Sequence, residues 1–325
     1  LGAVLPDKLT RMYFVNSGAE ANDAAIKLAR KIRGRSKVVS TVRGFHGRTQ
    51  ATWNATGGES QVGQFPSSRA NTEFVPYGNI NAMTAAIDGN TAAVIIEPIQ
   101  GEGGIRIPPA GYLAQVRELC SQAGACLIID EIQTGFCRTG SLFALQQESV
   151  AVAPDFMTMG KGIGGGFPFA GFAVSEAIAS QIQAGDHGGT YAGNPLGCAV
   201  AAEVVKFLIE QDVSANVRHA GDLLCDRLLG LQRRFPQIIQ EVRGRGLMLA
   251  LQLPDDAVVG RLCSFCLDEE LIVTPTRGAV IRLLPSLLIT TEEIDHAVSR
   301  LALALGRLAS TAHVSCDRLP RSMPA

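Results

Sequence analysis

The sequence carries no excess of charge of either sign: 29 Lys and Arg stand against 30 Asp and Glu, a net charge of -1. That excludes a nucleic-acid surface or a polybasic membrane face as the main business of the chain. It also lacks any apolar run near the ~20 residues of a membrane-spanning helix. The longest runs, such as 92–96, suit buried strands. There is no secretory leader, because the chain opens directly into structured-looking sequence, and the missing initiator Met reads as a fragment or a processed start. Eight cysteines in 325 residues are too few for a disulfide-built scaffold. Most lie in apolar segments, as buried thiols of a reducing cytoplasm do. Cys263 and Cys266 form a lone C-x-x-C with no second pair and no paired histidines, so no metal site is read. Internal repeats are also missing.

What is present is enough apolar residue, 46%, for a sizeable core, in a length that suits about two domains at ~150 residues each. There are 35 glycines where the usual ~7% would give about 23, and the surplus is clustered, not periodic. Short apolar runs alternate with amphipathic stretches. The spacing predicts strands over 12–15, 37–40, 91–97, 126–130, 155–159 and 169–174. It predicts helices over 18–33, 109–123 and 175–183 between them. Apolar strands alternating with helices indicate an α/β domain around a mostly parallel sheet, whose ligands sit at the carboxyl ends of strands. From Asn194 the texture changes. Helices are expected over 199–210, 217–235, 257–269 and 291–308, and strands over 238–242, 247–253, 271–274 and 280–283. This gives a large domain over 1–215, a small C-terminal α+β domain over 216–309, and a disordered tail over 310–325.

Glu97, Asp130 and Lys161 all fall at or just past strand ends. Lysine is scarce, with six in the chain, and Lys161 alone stands in a glycine cluster, Met-Gly-Lys-Gly-Ile-Gly-Gly-Gly, after an apolar strand. A desolvated lysine acts as a nucleophile or Schiff-base amine, and glycines leave room for a bulky group. A phosphate-loop lysine fits poorly, because Gly162 stands where Ser or Thr belongs; a solvated turn lysine stays open. Asp130 closes a buried strand, where a carboxylate needs a cation, such as a protonated pyridine nitrogen, or else caps a turn. Gln133 either donates to a phenolic oxygen or is merely exposed. Ser17, Gly18 and Ala19 open a helix and suit phosphate, although Ser17 also reads as an N-cap with Glu20 completing a capping box. Thr190 offers a hydroxyl in a second glycine-rich turn. Phe45 beside His46 and Arg48 suits ring stacking and carboxylate binding, or else a core ring and a surface charge.

Taken together, the stretches NSGAEANDAAIKLAR (16–30), GFHGRT (44–49), EPIQGEGG (97–104), LIIDEIQTGFCRTG (127–140), MGKGIGGGFP (159–168) and GGTYAGNPLGCA (188–199) make the chain recognisable. So do VRGRGLMLAL (242–251) and VIRLLPSLLIT (280–290) toward its end. The chain resembles the class III, fold type I aminotransferases that use pyridoxal 5′-phosphate, and within them it is most similar to the acetylornithine branch. The resemblance implies a fold type I large domain and a homodimer. It implies Lys161 as the Schiff-base amine and proton carrier, and Asp130 as the partner of the pyridinium. It assigns Gln133 to the phenolic oxygen, Ser17, Gly18 and Ala19 to the phosphate, and Phe45 with His46 to the ring. Thr190 is assigned to the neighbouring subunit's phosphate. Arg48 is implied for the distal substrate carboxylate, with Glu102 and Arg282 as a switch pair in which Glu102 covers Arg282 for the ω-amino donor and frees it for glutamate or 2-oxoglutarate.

The implied reaction is transfer of an ω-amino group, N-acetylornithine-like, to 2-oxoglutarate, giving the semialdehyde and glutamate. Close alternatives are 4-aminobutyrate or ornithine aminotransferases, an aminomutase of the glutamate-1-semialdehyde type, and a truncated inactive homologue. The last is suggested because family members carry a substantial segment ahead of the first strand.

Overall fold

The computed structural model describes residues 1–6, 8–58 and 71–316. The chain divides into two compact units, Leu1–Ala215 and a second beginning at Asn216.

The first unit is a seven-stranded sheet. Its strands are β1 (Leu9–Val15), β2 (Lys37–Thr41), β3 (Thr72–Val75), β4 (Thr91–Ile96), β5 (Cys126–Asp130), β6 (Phe156–Met159) and β7 (Ala170–Ser175), in the order β1-β7-β6-β5-β4-β2-β3. The pairs among β3, β2, β4, β5 and β6 are all parallel, while β7 runs antiparallel to both β6 and β1. A strand antiparallel to β7 points the same way as β6, so six of the seven strands share one direction. The mostly parallel sheet expected from the sequence is therefore present. Strands β4 and β5 are buried along their whole lengths. That burial explains why they read as continuous apolar runs instead of alternating ones.

Helix α1 (Gly18–Arg33) lies over one face of this sheet. Its Ala24, Ala25 and Leu28 repeat at helical spacing and pack in one cluster with Ile95, Ile128 and Phe156. Each large apolar side chain so buried contributes roughly 1.5–3 kcal/mol. Small alanines on the contact face let the helix approach the sheet closely. Ser17 caps the helix start, accepting from Glu20 N at 3.2 Å. The glutamate reaches back to Asn16 N at 2.6 Å, one residue short of a standard capping box. Gly34, in left-handed backbone, ends the helix.

Three short elements have no counterpart in the sequence reading: helix α2 (Gln50–Ala55), strand β3 and helix α3 (Ile80–Ala86). Each is seven residues or fewer, too short for a clear period. After α4 (Tyr112–Ala123), the helix expected over 175–183 is only α5 (Glu176–Ala179), and α6 (Pro195–Glu210) starts four residues before its expected position, with Asn194 as N-cap.

In the second unit, α7 (Val213–Arg234) leads to an antiparallel sheet of β8 (Glu241–Arg245), β9 (Met248–Gln252), β10 (Thr274–Thr276) and β11 (Val280–Leu283), in the order β10-β11-β9-β8. Helix α8 (Asp256–Asp268) and the final helix complete it. That final helix, α9, runs over Thr291–Cys316. Over 310–316 the chain is helical where a disordered tail was expected from 310: the apolar spacing of Leu301, Ala304, Leu305 and Leu308 buries one face, and the helix continues past Ser310 to Cys316. Residues 317–325 lie outside the described ones.

Candidate active site

Because β1, β2, β4, β5 and β6 point the same way, the segments that leave their carboxyl ends collect on one edge of the sheet. They line one cleft. From β1 and the start of α1 come Gly18 and Ala19; from the loop after β2 come Phe45, His46 and Arg48. The loop after β4 gives Glu97 and Glu102, the end of β5 gives Asp130 and Gln133, and the end of β6 gives Lys161. Residues far apart in sequence but alike in topological position thus meet in one place.

Asp130 is 3% exposed. Its Oδ2 accepts from Asn22 Nδ2 at 2.7 Å and faces His46 Nδ1 at 2.8 Å, and its Oδ1 accepts from Ile132 N at 3.1 Å. Asn22 is fixed in turn: it donates to the His46 carbonyl at 2.8 Å and accepts from Thr158 Oγ1 at 2.7 Å. With three groups directed at the carboxylate, its orientation is set before any ligand arrives. His46 is thus a holder of Asp130. Its Nε2 is buried with no hydrogen-bond partner among the described residues.

Lys161 opens one turn of 3₁₀ helix with φ 44°, an uncommon left-handed conformation for a side-chain-bearing residue. Strain of this kind persists where the surroundings enforce it, and it collects at functional sites. Gly18 leaves no room for a side chain, because a Cβ there would lie 2.7 Å from Ile132 Cδ1. Gly47 has φ 136° and packs so closely on α1 that a Cβ would lie 2.7 Å from Ala19 Cβ. The helix start and the Phe45 loop are therefore fitted together, and Gly18 and Ala19 of the first turn line the cleft. Gln133 reaches toward Glu102, with Nε2 3.5 Å from Oε1.

Two expected residues are not among those that line this cleft. Thr190 is exposed and is not among the cleft residues. Arg282 sits on β11 of the second unit, opposite Thr274 and Ala250. Ser17 is exposed beside the cleft, its Oγ engaged as the α1 cap. Two contributors escaped the sequence reading, Asn22 and Thr158. A signal for Asn22 was available: it lies three residues before Ala25 on the apolar stripe of α1, where a polar side chain needs a buried partner. Among the described residues, no group of three or more His, Cys, Asp or Glu is placed to hold a metal. No helix there is long and apolar enough to cross a membrane.

Two glutamates are buried here. Glu97 accepts from Phe45 N and Gly101 N, both at 3.1 Å. Glu131 accepts from Leu145 N at 2.8 Å and from Thr134 Oγ1. Burial pushes each from 4.5 up to about 7. Between those limits the folded chain keeps a proton that the unfolded chain releases, so each group lowers stability as pH rises through this window. A shift of this size corresponds to roughly 3 kcal/mol per group. Glu131→Gln cannot ionise. Its denaturation midpoint relative to the parent should therefore rise between about pH 4.5 and about pH 7. A difference between the two that stays flat over that range would show that Glu131 ionises at its ordinary value.

The donor set suits a planar, phosphorylated pyridine aldehyde. A held carboxylate stands ready for a ring N–H, Phe45 offers a face, Lys161 an amine, and a helix N-terminus suits phosphate. The family description "Aminotransferase class-III" matches residues 1–305. The chain is 41% identical over 288 residues to the acetylornithine aminotransferase of Methanothermobacter thermautotrophicus, covering 89% of this chain and 73% of that one. It is 41% identical over 305 residues to that of Methanopyrus kandleri, covering 94% and 77%. Among solved structures, the ornithine aminotransferase of Toxoplasma gondii, with partial occupancy of PLP at its active site, superposes with a TM-score of 0.86 at 32% identity, over 93% of this chain and 73% of that one. A transaminase from the marine bacterium Virgibacillus gives 0.90 at 29% identity, over 96% and 78%.

Proposed function

We infer that this chain, which belongs to the class-III aminotransferase family, moves the ω-amino group of an N-acetylornithine-like substrate to 2-oxoglutarate with pyridoxal phosphate as cofactor. The observation that carries the reading is the convergence of Lys161, the held Asp130, Phe45 and the α1 N-terminus in one cleft. When bound, pyridoxal phosphate supplies a carbonyl that takes up and releases amino groups, and a ring that draws electrons from the reacting carbon.

The chain's own residues do the rest. Lys161 Nζ attaches the cofactor and carries the proton to and from the reacting carbon. Asp130 holds a proton on the ring nitrogen. Gly18 and Ala19 give backbone N–H groups to the phosphate, with Ser17 beside them. Phe45 packs on the ring face, and Gln133 donates to the phenolic oxygen. Thr190, exposed in this chain, is assigned to the phosphate of a second subunit in a homodimer. Arg48, at the exposed lip, takes the carboxylate far from the reacting carbon. Arg282 serves the carboxylate adjacent to that carbon, and Glu102 switches it off for the ω-amino donor.

The direct test supplies N-acetylornithine, ornithine, 4-aminobutyrate and glutamate 1-semialdehyde to the purified chain, with and without 2-oxoglutarate. Glutamate should form fastest from N-acetylornithine and only with the oxo acid. Turnover of the semialdehyde without the oxo acid would make the chain an aminomutase instead.

The carboxylate roles predict a split between half-reactions. Lysine cannot copy the planar fork of arginine, and a lost charge-assisted pair costs roughly 1.5–3 kcal/mol, about tenfold to a hundredfold in specificity. Arg282→Lys should weaken the glutamate half-reaction more than the ω-amine one, and Glu102→Ala should do the reverse. Equal losses in both halves for both variants would remove the switch.

A further inference from the structure

The loop after β2 carries Phe45, and the loop after β4 carries Glu102. Glu97, at the carboxyl end of β4 and 5% exposed, touches both. One of its oxygens accepts from Phe45 N at 3.1 Å and the other from Gly101 N at 3.1 Å. Among the described residues no cation is hydrogen-bonded to its carboxylate, which accepts from two neutral amides.

We propose that Glu97 is a positioning residue whose carboxylate, in its charged form only, ties the Phe45 loop to the Glu102 loop. The chemistry follows from counting lone pairs. A carboxylate is acceptor-only at both oxygens and satisfies two N–H donors at once. Protonation turns one oxygen into an O–H donor, which then faces an N–H donor, and one of the two links is lost. Burial places this change at about 7, well within reach of ordinary conditions.

The groups that face Glu97 do not duplicate its role. The charge on His46, from the same loop as Phe45, opposes the upward shift, and Asp130, at the end of β5, adds to it. His46 and Asp130 hold each other, not the two amides. Arg48, Glu102 and Lys161 line the same cleft. Tyr77, from the loop after β3, donates to the main-chain oxygens of Glu97 and Pro98, at 2.9 and 2.8 Å, not to the Glu97 carboxylate. Gln100 does join the loops, through Thr41 Oγ1 and the Val42 carbonyl, but at their bases and without a titrating group. The outer parts of the loops, at Phe45 and Gly101, depend on Glu97.

This inference deepens the reading of the cleft as an aminotransferase site and rests on it for the roles of Phe45 and Glu102. The consequence is that one proton would loosen the ring-packing loop and the substrate-switch loop together. Below about pH 7 the KM for the oxo acid should rise with little change in kcat.

The test is amide hydrogen exchange of the full chain, with pyridoxal phosphate added, resolved to single residues and corrected for intrinsic exchange. In the parent, protection at one of Phe45 and Gly101 should fall by about tenfold as pH drops through the transition. In Glu97→Gln, whose amide imitates the protonated acid, protection at one of those two residues should be low at every pH, while Leu145, held by Glu131, behaves as in the parent. Flat protection in the parent, or the same pH response surviving in Glu97→Gln, overturns the proposal. Should Glu97→Gln fail to fold, Glu97→Asp keeps the charge but falls one methylene short. It must lose protection in at least one of the two amides, and full protection at both overturns the tie. A chain that exchanges as expected but transaminates nothing sinks the functional reading and leaves the tie standing. An active transaminase with pH-insensitive exchange sinks the tie alone.

Discussion

Lys161→Ala should abolish measurable transamination and, with it, any covalent, borohydride-reducible link between the chain and pyridoxal phosphate. Two losses combine. A positioned proton carrier contributes about 10²–10⁴-fold, and the amine is also the only nucleophile of its type at the site. Of the six lysines, Lys161 alone lines the cleft. Cofactor should still bind, more weakly, because the α1 N-terminus, Phe45 and Asp130 are untouched. Digestion and mass spectrometry of the reduced parent should place the link on residue 161. A reducible link that persists in the alanine variant would mean that another amine does the work.

The prominence of Lys161 in the sequence and its place in the fold have one cause. A buried parallel strand must be apolar, and the chain must turn sharply where it ends, so a polar residue at that boundary stands out against apolar and glycine neighbours. Asp130 after Leu127–Ile129 and Glu97 after Thr91–Ile96 are visible for the same reason. Parallel strand order then does what no linear reading can do, and brings those boundaries to one edge.

Three features were hidden, each for a physical reason. Asn22 and Thr158 lie inside regular elements, where a polar residue reads as an exposed position unless its partner is known, and the partners are 108 and 136 residues away along the chain. Short α2, β3 and α3 carry too few residues for periodicity to separate helix from strand. Glu97 was legible as a strand-end carboxylate, but its two donors are backbone amides, which no side-chain pattern announces.

Asp130→Asn should lower turnover by about 10²–10⁴, and the network around it accounts for part of the size. The asparagine amide keeps the shape, yet it offers N–H donors where the carboxylate offered acceptors. In the parent, Oδ2 receives Asn22 Nδ2 and His46 Nδ1. If the asparagine presents its nitrogen there, two donors face a donor. If it flips, the nitrogen meets Ile132 N instead. No rotamer satisfies all three groups. The flipped amide therefore loses one hydrogen bond to a charged acceptor, worth roughly 1.5–3 kcal/mol, about one to two decades if it is expressed in full in the rate. The same substitution removes the negative charge that holds a proton on the cofactor ring nitrogen, and so weakens the ring's draw on electrons at the reacting carbon. The two effects are separable. Asn22→Ala leaves the charge but removes one donor, so it should cost about tenfold, while Asp130→Asn loses far more and shifts the bound cofactor's absorbance with pH. Comparable, mild losses in both variants would assign Asp130 to holding the loop, and near-normal turnover in Asp130→Asn would rule out its role in keeping the ring nitrogen protonated.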